Sequence, residues 1–282
     1  MNKTNKLNKV TKKLTPSKGG KRKKSGRKKP KKAGTRSGWI IFGAVTLILI
    51  GLTIGRLIKE TEDHSETGAA IPSGTRSFCI DISHHNGEKI IWDSLKVMIN
   101  RDGRTVRSID QAIRILPVEA VYMKASEGET MRDRRFRVNW EEAGKREIRR
   151  GAYHFFSPAR NPGKQADNFI RCVGTLRHSD LPPVLDIETL PPKVTKEELN
   201  RNALIWLRLI ERHYGVKPVI YAPDSFIRDL LSDELTGNYP LWVAHYEVDA
   251  PVCKRYSMWQ FTDHAVIHGI PGFTDLSVIK QL

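Results

Sequence analysis

From residue 78 onward the chain alternates short apolar runs with amphipathic stretches, and this alternation restricts its fold more than any other feature. Apolar runs of about four to eight residues predict buried strands, whereas apolar residues at helical spacing predict helices that cover those strands. Alternating β and α units build a largely parallel sheet, because each helix returns the chain to the end of the sheet at which the previous strand began. We therefore expect one α/β domain over residues 78–282.

The predicted elements follow this alternation along the chain. The helix over residues 195–214 is the best defined, since Thr195 and Glu198 form a capping-box pattern and Gly215 supplies a stop. Its predicted buried stripe is Leu199, Ala203, Trp206, Leu207 and Ile210. Helical turns or helices are also predicted over residues 92–99, 108–116, 136–148 and 163–173, and strands over residues 78–83, 119–130, 151–158, 183–188, 217–222, 239–246, 256–263 and 272–279.

The fourth predicted strand, PVLDIE at residues 183–188, ends in two carboxylates one residue apart. Side chains alternate between the faces of a strand, so Asp186 and Glu188 are expected to project on the same side. Two carboxylates in one small site do not both ionise easily, and the pKa of one rises while the other stays an anion. A proton donor beside an anion suits a glycosidase, whereas two solvated acids at a strand end are the alternative interpretation.

Other strands carry further candidate site residues. Asp81 lies near the end of the first strand, and Lys124 and Glu127 end the second. The pair His84 and His85 suggests a metal, but adjacent histidines of an extended chain point to different sides and no H-x-x-x-H spacing follows. We therefore expect turn or groove residues there, with no metal and no cofactor.

The later strands are rich in aromatic and amide side chains. Tyr153 lies in an alternating aromatic strand, so one pair of rings faces the core and the other is a candidate groove lining. Trp242, Tyr246, Trp259 and Gln260 follow on later strands. Sugars present CH faces and hydroxyl groups, and aromatic platforms with hydrogen-bonding groups suit them, although core packing is the alternative for each ring.

The basic charge of the chain is concentrated at its start. Of 48 Lys and Arg residues, 16 lie within residues 1–36, which contain no Asp or Glu, so the remainder carries 32 basic and 31 acidic residues. A segment so poor in apolar residues is expected to be a disordered tail. The near-neutral remainder argues against a nucleic-acid-binding domain, because phosphate recognition needs a basic surface.

An apolar segment without charges or proline follows at residues 39–55. Its length is near the lower limit for crossing a bilayer core of about 30 Å. We predict a membrane-spanning signal anchor over residues 37–58, with the N-terminus cytoplasmic and the domain periplasmic or extracellular, because basic residues flank the cytoplasmic side. A cleaved signal peptide and a buried soluble helix are the alternatives. Residues 59–77 are expected to be a linker.

Three cysteines, Cys79, Cys172 and Cys253, allow at most one internal disulfide. Their wide spacing fits no zinc pattern. We expect them to be buried apolar residues.

Taken together, these stretches resemble glycoside hydrolase family 25, the muramidases of the cell-wall lysozyme type. The resemblance covers residues 78–282 and is specific because eight motifs occur in the family's order. The motifs are DISHHNG (81–87), KASEG (124–128), RGAYHFF (150–156), QADNF (165–169), PVLDIE (183–188), LWVAHY (241–246), WQFTD (259–263) and GFTDLSVI (272–279).

The resemblance implies an irregular, TIM-like β/α barrel whose groove lies at the C-terminal ends of the strands. It implies cleavage of the β-1,4 bond between N-acetylmuramic acid and N-acetylglucosamine in peptidoglycan. Glu188 would be the general acid and Asp186 its unprotonated, stabilising partner, while Asp81 and Asp275 would set the electrostatics of that pair. The residues that would bind substrate are Tyr153, Trp242, Tyr246, Gln260, Glu127 and Lys124.

The short spacing within D-x-E favours a retaining, substrate-assisted route, because two residues on one strand face do not flank a sugar from opposite sides. The main alternative function is a non-catalytic glycan-binding module on the same fold. The expected partners are peptidoglycan strands and, through the helix and tail, a membrane, with a monomeric catalytic domain. Residues 88–125 depart from the simplest family pattern and are expected to form a helix pair or a flap over the groove.

Overall fold

The computed structural model of the protein describes residues 67–75, 77–86, 89–146 and 148–280. The predicted basic tail, the predicted membrane-spanning helix and the first part of the predicted linker lie outside these residues. Within the described ranges, no helix combines the length and the apolar character needed to cross a bilayer.

Thirteen strands occur in the described ranges, and each of the eight predicted strands corresponds to one of them. In chain order they are β1 (Thr67–Ala70), β2 (Phe78–Ile82), β3 (Lys96–Ile99), β4 (Arg104–Val106), β5 (Arg114–Pro117), β6 (Ala120–Glu127), β7 (Met131–Arg132), β8 (Arg149–Phe155), β9 (Val184–Asp186), β10 (Val219–Pro223), β11 (Leu241–Ala244), β12 (Met258–Val266) and β13 (Phe273–Ile279).

Eight of these strands close into a barrel in the order β2, β13, β12, β11, β10, β9, β8 and β6, with β6 pairing back to β2. Neighbouring strands are parallel except that β13 is antiparallel to both β12 and β2. The short strand β7 adds to the edge of β6. The predicted α/β barrel is confirmed, and the single reversed strand accounts for its irregularity.

Five α-helices occur among the described residues. They are α1 (Phe136–Ala143), α2 (Pro162–Val173), α3 (Lys196–Tyr214), α4 (Asp224–Leu230) and α5 (Asp233–Asn238). The prediction for α3 is confirmed, because Thr195 Oγ1 accepts a hydrogen bond of 3.1 Å from the Glu198 amide and Gly215 ends the helix with a left-handed φ of 72°. The whole predicted stripe of α3 is buried against the barrel.

The core has two parts, which the alternation of strand side chains separates. Outward-facing residues of the barrel strands, such as Leu185 and Ile187 in and just after β9, pack in the cluster that includes the buried stripe of α3. Inward-facing residues form a second cluster inside the barrel. We call its lower part the barrel floor, which consists of Cys79, Ala120, Val184, Val219 and Met258.

All three cysteines have free thiols. Cys79 and Cys172 are buried, as predicted for apolar core residues, whereas Cys253 is partly exposed.

The region between β2 and β6 differs from its prediction. Residues 92–94 and 109–111 form single 3₁₀ turns, but residues 96–99 and 114–117 are the strands β3 and β5, so the prediction of helical structure over residues 92–99 and 108–116 was wrong beyond these turns. Val97, Met98 and Ile99 are consecutive and all buried, which fits a strand covered on both faces and not a helix with one apolar side. These strands form a small antiparallel sheet in the order β1, β4, β3 and β5. Residues 67–70 of the predicted linker are therefore part of the folded domain.

Candidate active site

The barrel mouth carries at least one polar or aromatic side chain from each barrel strand. Together these side chains line a cavity of about 290 Å³. In strand order from β2 to β13 they are Asp81, Lys124, Tyr153, Asp186, Tyr221, Trp242, Gln260 and Asp275, and Glu188 joins them from just beyond β9. The parallel strands therefore bring residues that are far apart in the chain to the C-terminal end of one barrel.

The two acids of PVLDIE face the cavity together. Asp186 is the last residue of β9, and parallel pairing continues past it because the Ile187 amide donates to the Tyr221 carbonyl oxygen at 2.9 Å. Ile187 faces the outer core, so the alternation turns Asp186 and Glu188 to the same side, as the spacing predicts. Asp186 is buried, whereas Glu188 is exposed at the cavity wall.

Asp186 is electrostatically unfavourable as an anion in this site. Burial raises its pKa well above the ordinary value, and the nearby negative charge and hydrogen bonding of Glu188 raise it further. Its buried Oδ1 atom has no hydrogen-bond partner. Asp186 therefore holds a proton more readily than an exposed carboxyl does, whereas the family resemblance implies an unprotonated partner at this position.

Asp81 and Asp275 form a second acidic pair. They lie opposite each other in the antiparallel pairing of β2 and β13. Burial raises the pKa of Asp81 well above its ordinary value, and the charge of Asp275 adds to this. Burial, followed by the charge of Asp263, raises the pKa of Asp275 to about 6. One proton held on Asp81 and shared with Asp275 reduces the repulsion between them.

Gln260 fixes the geometry beside this pair. Its Oε1 atom accepts hydrogen bonds from the hydroxyls of Tyr221 at 2.8 Å and Tyr246 at 2.5 Å. Its Nε2 atom therefore faces Asp81 and donates to Oδ2 at 2.9 Å. Trp242 is held separately, since its Nε1 atom donates to Ser277 Oγ at 2.9 Å. These contacts orient aromatic and amide groups around the acids.

Lys124 and Glu127 occupy different places, although both were predicted to bind substrate. Lys124 lines the cavity, with Nζ 4.7 Å from the centre of the Phe155 ring. Glu127 does not line the cavity and contacts Lys124, with Oε2 2.7 Å from Nζ. Glu127 is therefore placed to hold the lysine and not to touch a ligand directly.

Several lining residues were not predicted as site residues. Tyr221 is adjacent to Asp186 in the parallel register of β10 and β9, and its position at a strand end was the available signal. Asp263 lies within the WQFTD motif and was also not named. His85 lies in the cavity wall, where turn or groove residues were expected, and the Nδ1 atom of the preceding His84 is 2.7 Å from Asp133 Oδ2. Within the described part of the chain, no cluster of three or more metal-ligating side chains occurs.

A closed β/α barrel with five carboxyl groups and aromatic side chains at its C-terminal mouth defines a glycoside hydrolase type of site. Residues 80–270 match the family model described as glycosyl hydrolases family 25. The chain belongs to this family and is a glycoside hydrolase of the lysozyme type.

Individual relatives agree with this assignment. The chain is 32% identical over 212 residues to the uncharacterized protein YegX of Escherichia coli K12, covering 74% of this chain and 72% of that protein. It is 28% identical over 240 residues to Lysozyme M1 of Streptomyces globisporus, covering 80% and 74%. The crystal structure of the bacterial lysozyme from Streptomyces coelicolor superposes with a TM-score of 0.61 and 26% identity, covering 74% of this chain and 94% of that one.

Proposed function

We propose that this chain is a membrane-anchored peptidoglycan hydrolase that cleaves the β-1,4 bond between N-acetylmuramic acid and N-acetylglucosamine. The observation that carries the proposal is the single cavity in which an exposed Glu188 adjoins the buried Asp186 and the Asp81–Asp275 pair. The lysozyme names of related chains support the choice of substrate.

Glu188 is proposed as the general acid. Its exposed carboxyl at the cavity wall can reach the glycosidic oxygen, to which it transfers a proton as the C1–O bond breaks. The same residue then acts as the base that takes a proton from the incoming water.

Asp186 is proposed to assist the substrate's own 2-acetamido group. The acetamido oxygen attacks C1 as the leaving sugar departs, and the ring that forms carries a positive charge. An adjacent positive charge favours the anionic form of a carboxyl, so the raised pKa of Asp186 falls as this intermediate develops. The proton of Asp186 then passes through the hydrogen-bonded Glu188 to the leaving oxygen. The interaction is then stronger in the transition state than with the bound substrate, which is what accelerates a reaction.

The activity is tested with purified full-length chain and isolated peptidoglycan. New reducing ends and loss of turbidity are expected from the natural chain, and Glu188→Gln is expected to abolish both. Equal clearing by the two proteins would refute the role of Glu188, and clearing by neither would favour a non-catalytic glycan-binding module.

The stereochemical course is tested by NMR of the first product formed. Double displacement through the acetamido group requires the β-anomer to appear before mutarotation, and initial α-anomer would refute retention.

The anchor over residues 37–58 is part of the proposal and rests on the sequence pattern. A reporter enzyme fused after Leu282 should be active only outside the cytoplasm. Cytoplasmic reporter activity would refute this orientation.

A further inference from the structure

A second cavity adjoins the catalytic one. The two share Tyr246 and Asp263 in their walls, so they adjoin at these residues. The second cavity, which we call the hairpin groove, has a volume of about 1250 Å³ and runs beside β1 and the β12–β13 hairpin. The catalytic cavity of about 290 Å³ is small beside it, and a polymeric substrate that leaves the catalytic cavity on this side enters the groove.

The hairpin groove presents a pair of exposed rings. Phe273, at the start of β13, is 43% exposed, although buried positions are usual for this residue type. The His264 ring lies beside it with a centroid distance of 5.1 Å, and its Nδ1 atom is hydrogen-bonded to the Asp263 carboxylate. An exposed apolar face with hydrogen-bonding groups at its edge matches the CH face and hydroxyls of a sugar.

The small sheet holds the hairpin in place. The Val266 amide donates to Thr105 Oγ1 of β4 at 2.9 Å, and the Ile91 amide donates to the Gly269 carbonyl oxygen at 2.8 Å. Gly68 of β1 packs so closely that a Cβ atom there would lie 2.6 Å from the Val266 nitrogen. The segment between β2 and β6 therefore braces the hairpin at several points.

The opposite wall of the groove is a turn with an unusual backbone conformation. Glu247, directly after Tyr246, has a φ of 55°, the left-handed region that residues other than glycine seldom adopt. This turn directs residues 247–250 along the groove. Charged groups of both signs line the groove, including Arg104, Lys280 and Asp249, and such a mixture suits a hydroxyl-rich ligand better than a strongly charged one.

We propose that the hairpin groove binds sugar units of the glycan strand beyond those at the cleaved bond, with Phe273 and His264 as the stacking platform. The occupant is a glycan because the groove adjoins the cavity that holds the reacting sugar and presents exposed rings beside hydrogen-bonding groups. The inference rests on the proposed function and gives the small sheet a role as the support of an extended binding cleft.

The test measures binding in the full-length chain carrying Glu188→Gln, so that no ligand is cleaved. Titration calorimetry compares soluble peptidoglycan glycan strands with the disaccharide of N-acetylglucosamine and N-acetylmuramic acid, which is too small to fill both cavities. Adding Phe273→Ala and His264→Ala should weaken binding of the strands about tenfold and of the disaccharide less than about twofold. Gly68→Ala should reproduce the selective loss by displacing the hairpin.

Ile113→Ala is the matched control, because this residue is 60% exposed and lines neither cavity. Unchanged strand binding in the double variant, or an equal loss for both ligand lengths, would overturn the proposal. So would strands that bind the Glu188→Gln chain no more tightly than the disaccharide, which would assign the groove to another occupant. Cleavage is assayed separately in the natural chain, so a failure of the proposed function is recognised apart from these binding results.

Discussion

The barrel floor and the barrel mouth are built from the same strands but have opposite chemistry. Cys79, Val184 and Met258 of the floor precede Asp81, Asp186 and Gln260 of the mouth by two positions on β2, β9 and β12. Residues two apart face the same side of a strand. The side chains inside the barrel therefore change from apolar to polar within two residues along each of these strands.

This difference separates stability from activity within one interior. The floor side chains are apolar apart from the Cys79 thiol, which donates to the Ile80 carbonyl oxygen, whereas the mouth keeps a carboxyl oxygen of Asp186 buried and without a partner. Burying such a group costs free energy that the rest of the fold must supply. Mutations at the two levels should therefore act on different properties of the enzyme.

Asp186→Asn should have the largest effect and should move activity and stability in opposite directions. We expect the rate of reducing-end release to fall about 10³-fold, the order of loss found when an electrostatic stabiliser of a transition state is removed. The melting temperature should rise by a few degrees at pH 8, because the amide removes a buried carboxyl whose pKa the fold raises.

The size of the stability gain from Asp186→Asn depends on pH. Asp186 releases its proton at lower pH in the unfolded chain than in the folded chain. The free energy of unfolding of the unsubstituted chain therefore falls as pH rises through the pKa of folded Asp186. The stability gain from Asp186→Asn should accordingly be larger at pH 8 than at pH 4. Asp167→Asn, at an exposed acid on α2, is the control. A pH-independent gain would contradict the account of a strained carboxyl.

Met258→Ala tests the floor. Removing this fully buried side chain leaves a cavity and should lower the free energy of unfolding by about 2–5 kcal/mol in urea titrations. The reducing-end assay at low temperature should retain most of its rate, because Met258 does not line the catalytic cavity. A large loss of rate with unchanged stability would mean that floor and mouth are not separable.

His154 provides a titratable group that is buried outside the mouth. Burial lowers its pKa from about 6.5 to about 4, and the ring lies between Ser126 Oγ at 2.8 Å and Gln165 Oε1 at 3.2 Å, stacked on Trp206. As pH falls, His154 gains its proton in the unfolded chain before it does so in the folded chain. The contribution of His154 to the free energy of unfolding is therefore fully present above pH 6.5 and should decrease by about 3 kcal/mol on acidification to pH 4.

Denaturant titrations at several pH values measure the His154 contribution, with His154→Gln as the comparison. The variant should be less stable at pH 7, and its stability should depend less on pH between 6.5 and 4. An identical pH dependence in both proteins would show that His154 does not cause the loss of stability on acidification.

The smallest expected effect concerns the charge of Asp263 at the edge of the mouth. Asp263→Asn should lower the pKa of Asp275 from about 6, because burial raises that pKa first and the Asp263 charge second. Carbon-13 NMR titration of the Asp275 carboxyl measures the shift, and Asp249→Asn in the exposed turn should leave it in place. An unchanged Asp275 titration in Asp263→Asn would limit the cause to burial.

The contrast between the barrel and the small sheet also shows what could be predicted from the sequence. The barrel strands were predictable because each is a short apolar run next to a turn or an amphipathic helix, and Asp186 and Glu188 follow from the two-residue period alone. The α3 helix was predictable from local signals, namely the Thr195 cap and the Gly215 stop.

The remaining features depend on contacts between distant segments. Residues 67–70 have a linker composition and become β1 only by pairing with β4. The run around Met98 was predicted as helical because its burial on both faces depends on neighbours that sequence spacing does not reveal. Tyr221 is a site residue through its register with Asp186, and Glu127 contacts the lysine instead of the cavity.

The reversed strand β13 sets the order in which the enzyme can assemble. It lies between β2 and β12 and brings Asp275 opposite Asp81, so the first and last strands of the barrel meet only when nearly the whole domain has been synthesised. Pairing over such a separation is slow, and β2 and β12 expose unpaired edges until it occurs. A chain in which β13 has not yet paired therefore lacks both a closed barrel and the Asp81–Asp275 pair. Glycoside hydrolase activity is expected only after this last strand has paired.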